Sequence, residues 1–168
     1  MRKLNEAFSS YLQISFQYQN SGKFVSLSEE LELVRAYLYV EKERHGNRLH
    51  VRWNVDQDIN LMLPPLTIQP LVENAVQHGI MQIAKGGTVQ IRIERQELST
   101  LIQVKDNGMG MSREKVQGLL DAPREDKRGI GLYNTNRRLI QTYGSGLSIQ
   151  SEVQEGTSVS FVIPDPEQ

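Results

Sequence analysis

The sequence predicts an α+β fold, a two-layer α/β sandwich in which helices cover one face of a mixed, mostly antiparallel sheet, with a helical segment at the N-terminus. Three observations predict it. Segments with helical apolar spacing are interspersed with five segments of strand character. Glycine and proline punctuate the boundaries between them. The length of 168 residues, with 38% hydrophobic and 23% charged side chains, suits one ordinary domain with a short added element.

Taken in order, Leu4, Phe8, Leu12 and Phe16 recur every fourth residue, which predicts a helix over about Leu4–Gln19. Ser21-Gly22 interrupts it. Ser26 and Glu29 form an S-x-x-E capping box, opening a second helix at about 28–45 with Leu31, Val34 and Leu38 on one face and His45-Gly46 at its end. Leu49, Val51, Trp53 and Val55 alternate as in a half-buried strand. Pro64-Pro65 is expected to begin a third helix reaching His78-Gly79, because proline is tolerated in a first turn. Thr88–Arg95 and Leu98–Lys105 read as two strands joined by a tight turn. A polar stretch between Gly110 and Gly129 follows, with a short helix in it, then a helix over Gly131–Tyr143 ending at Gly144, then a strand pair, Leu147–Val153 and Thr157–Ile163.

Composition excludes several classes of function. A formal net charge of −1 gives no basis for nucleic acid or an anionic membrane as the main partner. With no cysteine there is neither a disulfide scaffold nor thiolate chemistry. No apolar run approaches the roughly 20 residues needed to span a bilayer, and the first residues lack a signal-peptide core. The expectation is a soluble, cytoplasmic chain.

Three glycine segments carry the chemistry: Asp106-Asn107-Gly108-Met109-Gly110, Arg128-Gly129-Ile130-Gly131-Leu132 and Gly156-Thr157. The first follows a strand and the second directly precedes a helix. Glycine permits close backbone approach to a ligand, and a helix N-terminus aims unpaired N–H groups at phosphate. Singly these signals are weak, since Asp and Gly also make ordinary turns. Upstream, Glu73 and Asn74 are adjacent polar residues in an otherwise apolar helix, so at least one faces a cleft or solvent. Their oxygens suit Mg²⁺, although a solvated helix face is the alternative.

Together and in this order the segments resemble the N, G1, G2 and G3 boxes of Bergerat-type ATPases, the superfamily of gyrase, histidine kinases and mismatch-repair relatives. The wording IQPLVENAVQHG, VKDNGMGM, GIGLYNTNRRL and EGTSVSFVIP, preceded by LSEELELVRAYLYVEKERHGNRL, is similar to the LytS-like branch of two-component sensor histidine kinases. The resemblance runs from about Leu4 to Pro164. It implies the Bergerat fold, with residues 1–25 a remnant of a dimerisation helix and linker and 26–168 the catalytic ATP-binding domain. It implies ATP and Mg²⁺ as ligand and cofactor. Asn74 matches the Mg²⁺-coordinating asparagine, and Glu73 the acid that polarises the γ-phosphate or the incoming nucleophile. Asp106 matches the acceptor of the adenine amino group, a sensible role for a carboxylate. Gly108 and Gly110 let the chain pass close to the base, with Met111 beside them. Gly129, Ile130, Gly131 and Leu132 line the phosphates, and Thr157 contacts adenine directly or through water. His78 lies four residues after Asn74, facing phosphates or ribose. Cationic help is expected from Arg128, ahead of Arg124, Lys127, Arg137 and Arg138, and Met111–Arg128 is expected to form a lid.

A histidine kinase needs an acceptor histidine, and this chain has His45, His50 and His78 alone. His45 reads as a helix C-terminal residue, His50 as exposed on a strand, and His78 as part of the nucleotide helix. None has the family's acceptor context. The expectation is therefore the C-terminal piece of a membrane-anchored receptor, beginning just after the acceptor. Its partners would be an acceptor hairpin, a response regulator and a second copy bound through the N-terminal helix. Two other readings remain: a protein-serine kinase of the anti-sigma type, and a nucleotide-binding module without catalysis. The helical linker argues against the first and intact Glu73-Asn74 against the second.

Overall fold

The computed structural model describes residues 23–121 and 130–166, together with Glu6, Ser9 and Gln13. Those last three are helical and exposed; the rest of the expected helix over Leu4–Gln19 lies outside the described residues.

Strand β1 (Val25–Ser26) leads into helix α1 (Leu27–His45). The expected capping box is present: the Ser26 hydroxyl accepts from the Glu29 amide at 3.1 Å, and the Ser26 amide donates to Glu29 Oε2 at 2.8 Å. Gly46, at φ 58, ends the helix. His45 does not cap it, because its Nε2 lies 3.1 Å from Glu41 Oε2. Lys42 Nζ instead donates to the carbonyls of Gly46 and Leu49. Strand β2 (Leu49–Val55) follows, then β3 (Met62–Leu63), which pairs antiparallel with β1 in a two-residue ladder with no sequence signal.

The third helix begins later than the prolines suggest. Helix α2 spans Gln69–Asn74, with Pro70 in its first turn, whereas Pro64–Ile68 is irregular and Leu66 is left-handed at φ 58. The amides of Leu66 to Gln69, which a helix begun at Pro64 would have turned inward along its axis, are instead held by the Glu30 carboxylate, so the helix starts later. Beyond Asn74 the chain widens into a π-turn over Ala75–Gly79 and then tightens into a 3₁₀ turn over Ile80–Gln82.

Strands β4 (Gly87–Arg95) and β5 (Ser99–Asp106) form the expected hairpin. Helix α3 (Arg113–Asp121), helix α4 (Ile130–Tyr143) and strands β6 (Ser148–Glu152) and β7 (Gly156–Pro164) complete the chain. The five-stranded sheet has the order β2-β4-β5-β7-β6, with β2 parallel to β4 and every other pair antiparallel. This is the expected mixed, mostly antiparallel sheet.

Alternation sets the two layers. Val89, Ile91 and Ile93 on β4, Ile102 and Val104 on β5, and Val159, Phe161 and Ile163 on β7 are buried in one core with Leu31, Val34 and Leu38 of α1, Leu71, Val72 and Val76 of the α2 segment, and Leu132 and Leu139 of α4. Each fully buried aliphatic side chain contributes about 2 kcal/mol. The intervening residues Gln90, Arg92, Gln103, Lys105, Ser158 and Ser160 are half-buried or exposed, so among the described residues the second face of the sheet is largely polar and packs under no helix. His50 is exposed, as expected.

Candidate nucleotide site

Two groups of residues come together at the end of the sheet. The first lines a cleft of about 160 Å³ between α2 and α4: Pro70, Glu73, Asn74, Gln77, His78, Gly131 and Leu132. Glu73 and Asn74 are half-buried and His78 is exposed. The π-turn lets Asn74 and His78 share this cleft while Ala75 and Val76 stay in the core, a use of widened turns common at functional sites. The start of α4 meets the same cleft through Gly131 and Leu132, so the unpaired N–H groups of its first turn lie close by. Glu73 is held from behind, since Gln69 Nε2 donates to its Oε2 at 2.8 Å.

The second group surrounds Asp106, which is 3% exposed and lies between β4 and β7, in register with Val89 and Thr157. Burial pushes its carboxyl up to about 6, against the opposing pull of N–H donors on Gly108 and Thr157. The Gly108 amide donates to Asp106 Oδ1 at 2.8 Å. Thr157 Oγ1 lies 2.7 Å from Ser151 Oγ, which also accepts from the Met111 amide at 2.8 Å. This hydroxyl pair ties Met111 and Thr157 together.

Gly79 joins the two groups. It closes the π-turn one residue after His78, and a Cβ there would sit 2.6 Å from Asp106 Oδ1. The amide of Met109 donates to the Gly79 carbonyl at 3.1 Å. At Gly108 a Cβ would overlap the Gly79 backbone, and at Gly110, where φ is 68, it would overlap the Glu152 carbonyl. The close approach seen at these glycines is therefore of chain to chain. Asp106 and Thr157 border a separate depression of about 560 Å³ with Arg92, Gln103 and Lys105, not the Glu73 cleft itself.

Of the other expected residues, Arg124, Lys127, Arg128 and Gly129 lie outside the described residues, and of Ile130 the backbone alone is described. Arg137 stacks over the Tyr133 ring at 5.8 Å, and Arg138 donates to the Pro65 carbonyl. Neither lines the cleft.

Gln69, Gln77, Gly79 and Ser151 escaped the reading of the sequence. Gln69 sits one turn before Glu73, the spacing at which helical side chains meet, and that was the available signal. Ser151 faces Thr157 across a ladder whose register the sequence does not reveal.

The donor set fits a nucleotide with a hard cation. Among the described residues no three of His, Cys, Asp or Glu gather to hold a metal unaided. Mg²⁺ normally takes one or two protein oxygens and completes its shell with phosphate and water. Adjacent Glu73 and Asn74 offer that number.

Residues 65–167 match the family model for histidine kinase-, DNA gyrase B- and HSP90-like ATPases, and residues 1–49 match a histidine kinase model. The Bacillus subtilis (strain 168) protein YwpD is 43% identical over 163 residues, covering 96% of this chain and 58% of its own length. The sensor protein LytS of Bacillus anthracis is 36% identical over 168 residues, 97% of this chain and 28% of its own length. The sensor histidine kinase YpdA of Escherichia coli (strain K12) is 33% identical over 164 residues, 98% of this chain and 28% of its own length. The chain thus spans between 28% and 58% of these relatives.

Among solved structures, the histidine kinase domain of Erythrobacter litoralis EL346 aligns with TM-score 0.63 and 20% identity over 95% of this chain and 73% of that one. The mycobacterial sensor kinase MprB aligns with TM-score 0.61 and 16% identity over 87% and 99%. The fold is that of histidine kinase catalytic domains, and the chain belongs to the histidine kinase-, DNA gyrase B- and HSP90-like ATPase family.

Proposed function

We propose that this chain is the ATP-binding catalytic part of a sensor histidine kinase, transferring the γ-phosphoryl of ATP to a histidine on an acceptor hairpin outside its own 168 residues. The observation that carries this reading is the convergence of Glu73, Asn74 and His78 on the start of α4 in one polar cleft. Phosphoryl transfer asks a protein mainly for positioning and charge neutralisation. Amides of the first turn of α4 supply positive potential for phosphate oxygens. Asn74 offers its carboxamide oxygen to Mg²⁺, whose chemistry here is neutralisation of phosphate charge. Glu73, oriented by Gln69, accepts a proton or polarises the attacking imidazole. Asp106 accepts the exocyclic N–H of adenine, with Gly108, Gly110, Met111 and Thr157 around the base. Arg128, next to Gly129, supplies cationic help.

Residues 1–25 act in a dimerisation element, and the parent protein is membrane-anchored and signals to a response regulator. No helix among the described residues is long and apolar enough to cross a membrane. The Leu4, Phe8, Leu12 and Phe16 stripe favours association of two copies. Replacing Phe8 and Leu12 together with glutamate should then shift sedimentation from dimer to monomer.

The decisive experiment incubates the chain with γ-labelled ATP, Mg²⁺ and a separately made acceptor hairpin. Label on the acceptor histidine is expected. Label on serine favours the anti-sigma type of kinase, and bound nucleotide without transfer favours a binding module.

A further inference from the structure

Glu30 has none of its surface exposed, although it lies on α1 within the apolar stripe of Leu27, Leu31 and Val34. Its carboxylate is spent on one short segment. Oε2 accepts from the Leu66 amide at 3.1 Å, and Oε1 accepts from the amides of Thr67, Ile68 and Gln69 at 2.8, 2.9 and 3.4 Å. These amides form the entry to α2, which has no side-chain cap of its own at Ile68. Burial raises the carboxyl's pKa, and the four N–H donors oppose that rise. An apolar side chain would have served the core at lower desolvation cost. A buried carboxylate that gathers four consecutive amides around a left-handed Leu66 serves the path of that loop.

The chain of contacts continues. Gln69, whose backbone amide reaches Glu30, uses its side-chain amide to hold Glu73 Oε2 at 2.8 Å, one turn further on. The hydrogen bonds therefore lead from α1, inside the region matching the histidine kinase model, to the cleft inside the region matching the ATPase model.

We propose that Glu30 is a positioning residue for the nucleotide site: it ties the entry of α2 to α1, and Gln69 carries that placement to the carboxylate of Glu73. A displacement of α1 is then felt at the cleft through these hydrogen bonds. The role assigned to Glu73 rests on the proposed function; the tie between α1 and α2 does not.

Two variants test it. In Glu30→Gln, amide hydrogen exchange over 66–74 should accelerate by about tenfold or more while β4 and β5 keep the parent's protection. Equal acceleration throughout the sheet, or no acceleration at 66–74, overturns the tie. Gln69→Leu serves if Glu30→Gln does not fold. It should keep MgADP affinity within about twofold, yet slow single-turnover transfer to the acceptor hairpin about tenfold, with no added loss in a Glu73→Gln background. A fall in MgADP affinity as large as the fall in rate, or an equal slowing with and without Glu73, overturns the positioning role. Failure of the parent to bind MgATP sinks the proposed function instead, and the exchange measurement still decides the tie.

Discussion

Asp106 links the stability of the fold to pH through one buried side chain. Its carboxyl is raised from 3.8 to about 6 by burial, so the folded state holds a proton that the unfolded state releases. The associated stability is complete below about pH 4 and is lost as pH rises toward 6. The stability of Asp106→Asn relative to the parent in urea unfolding should therefore rise by about 2 kcal/mol between pH 4 and 7. In its proposed role as acceptor of the adenine N–H, Asp106 gives nucleotide binding the opposite preference, because the carboxylate is the better acceptor. Parent affinity for MgATP by calorimetry should fall as pH drops through 6, and Asp106→Asn should discriminate less between ATP and GTP. Glycines separate in the same manner. Gly108→Ala forces a Cβ onto the Gly79 backbone and should cost about 2–4 kcal/mol of stability. Gly131→Ala meets Pro70 Cβ at 3.5 Å, an ordinary contact. It should leave the melting temperature unchanged or higher while weakening nucleotide binding, provided the start of α4 holds phosphate.

Among the elements, α1 and α2 differ in how their ends are specified. The start of α1 is written locally, in Ser26 and Glu29, and Ser26→Ala should cost about 1 kcal/mol in thermal or urea unfolding. The start of α2 is specified from 36 to 39 residues away by Glu30. Reading Pro64-Pro65 as a helix start failed for that reason: proline is permitted in a first turn, but the amides that needed a partner found one on another helix. The π-turn after Asn74 is equally non-local, since nothing in AVQHG distinguishes a widened turn from a regular one. Its consequence is functional, because it brings Gly79 against Asp106 and joins the two halves of the site.

At the scale of the molecule, the sheet buries one face under the helices and presents polar side chains on the other, and the candidate site lies where α2, α4 and the β5–α3 and β6–β7 connections meet. A ligand that binds there ties helices from different parts of the chain and stabilises the native state by mass action. MgATP at about 100 times its Kd should raise the unfolding free energy by about 2.7 kcal/mol. Asn74→Ala should abolish most of that increment, measured by thermal unfolding with and without Mg²⁺. An undiminished increment would show that Asn74 does not hold the cation.

Much of this was legible before any coordinates. The alternation of Val89, Ile91 and Ile93, the capping box at Ser26, and the glycines after Asp106 are signals carried by residues close in sequence, and local physics suffices to read them. Family membership was legible too, because its motifs are words of several adjacent residues. What tertiary structure alone decided depends on partners distant in the chain. Glu30 is one acid among several on α1 until the amides of 66–69 close over it, and Gly108 is a turn glycine until Gly79 packs on it. Glu73 lines the cleft against α4, and Asp106 borders a different depression. Burial and hydrogen-bond partnership are properties of packing, and a sequence pattern specifies which face is apolar without specifying what will meet it.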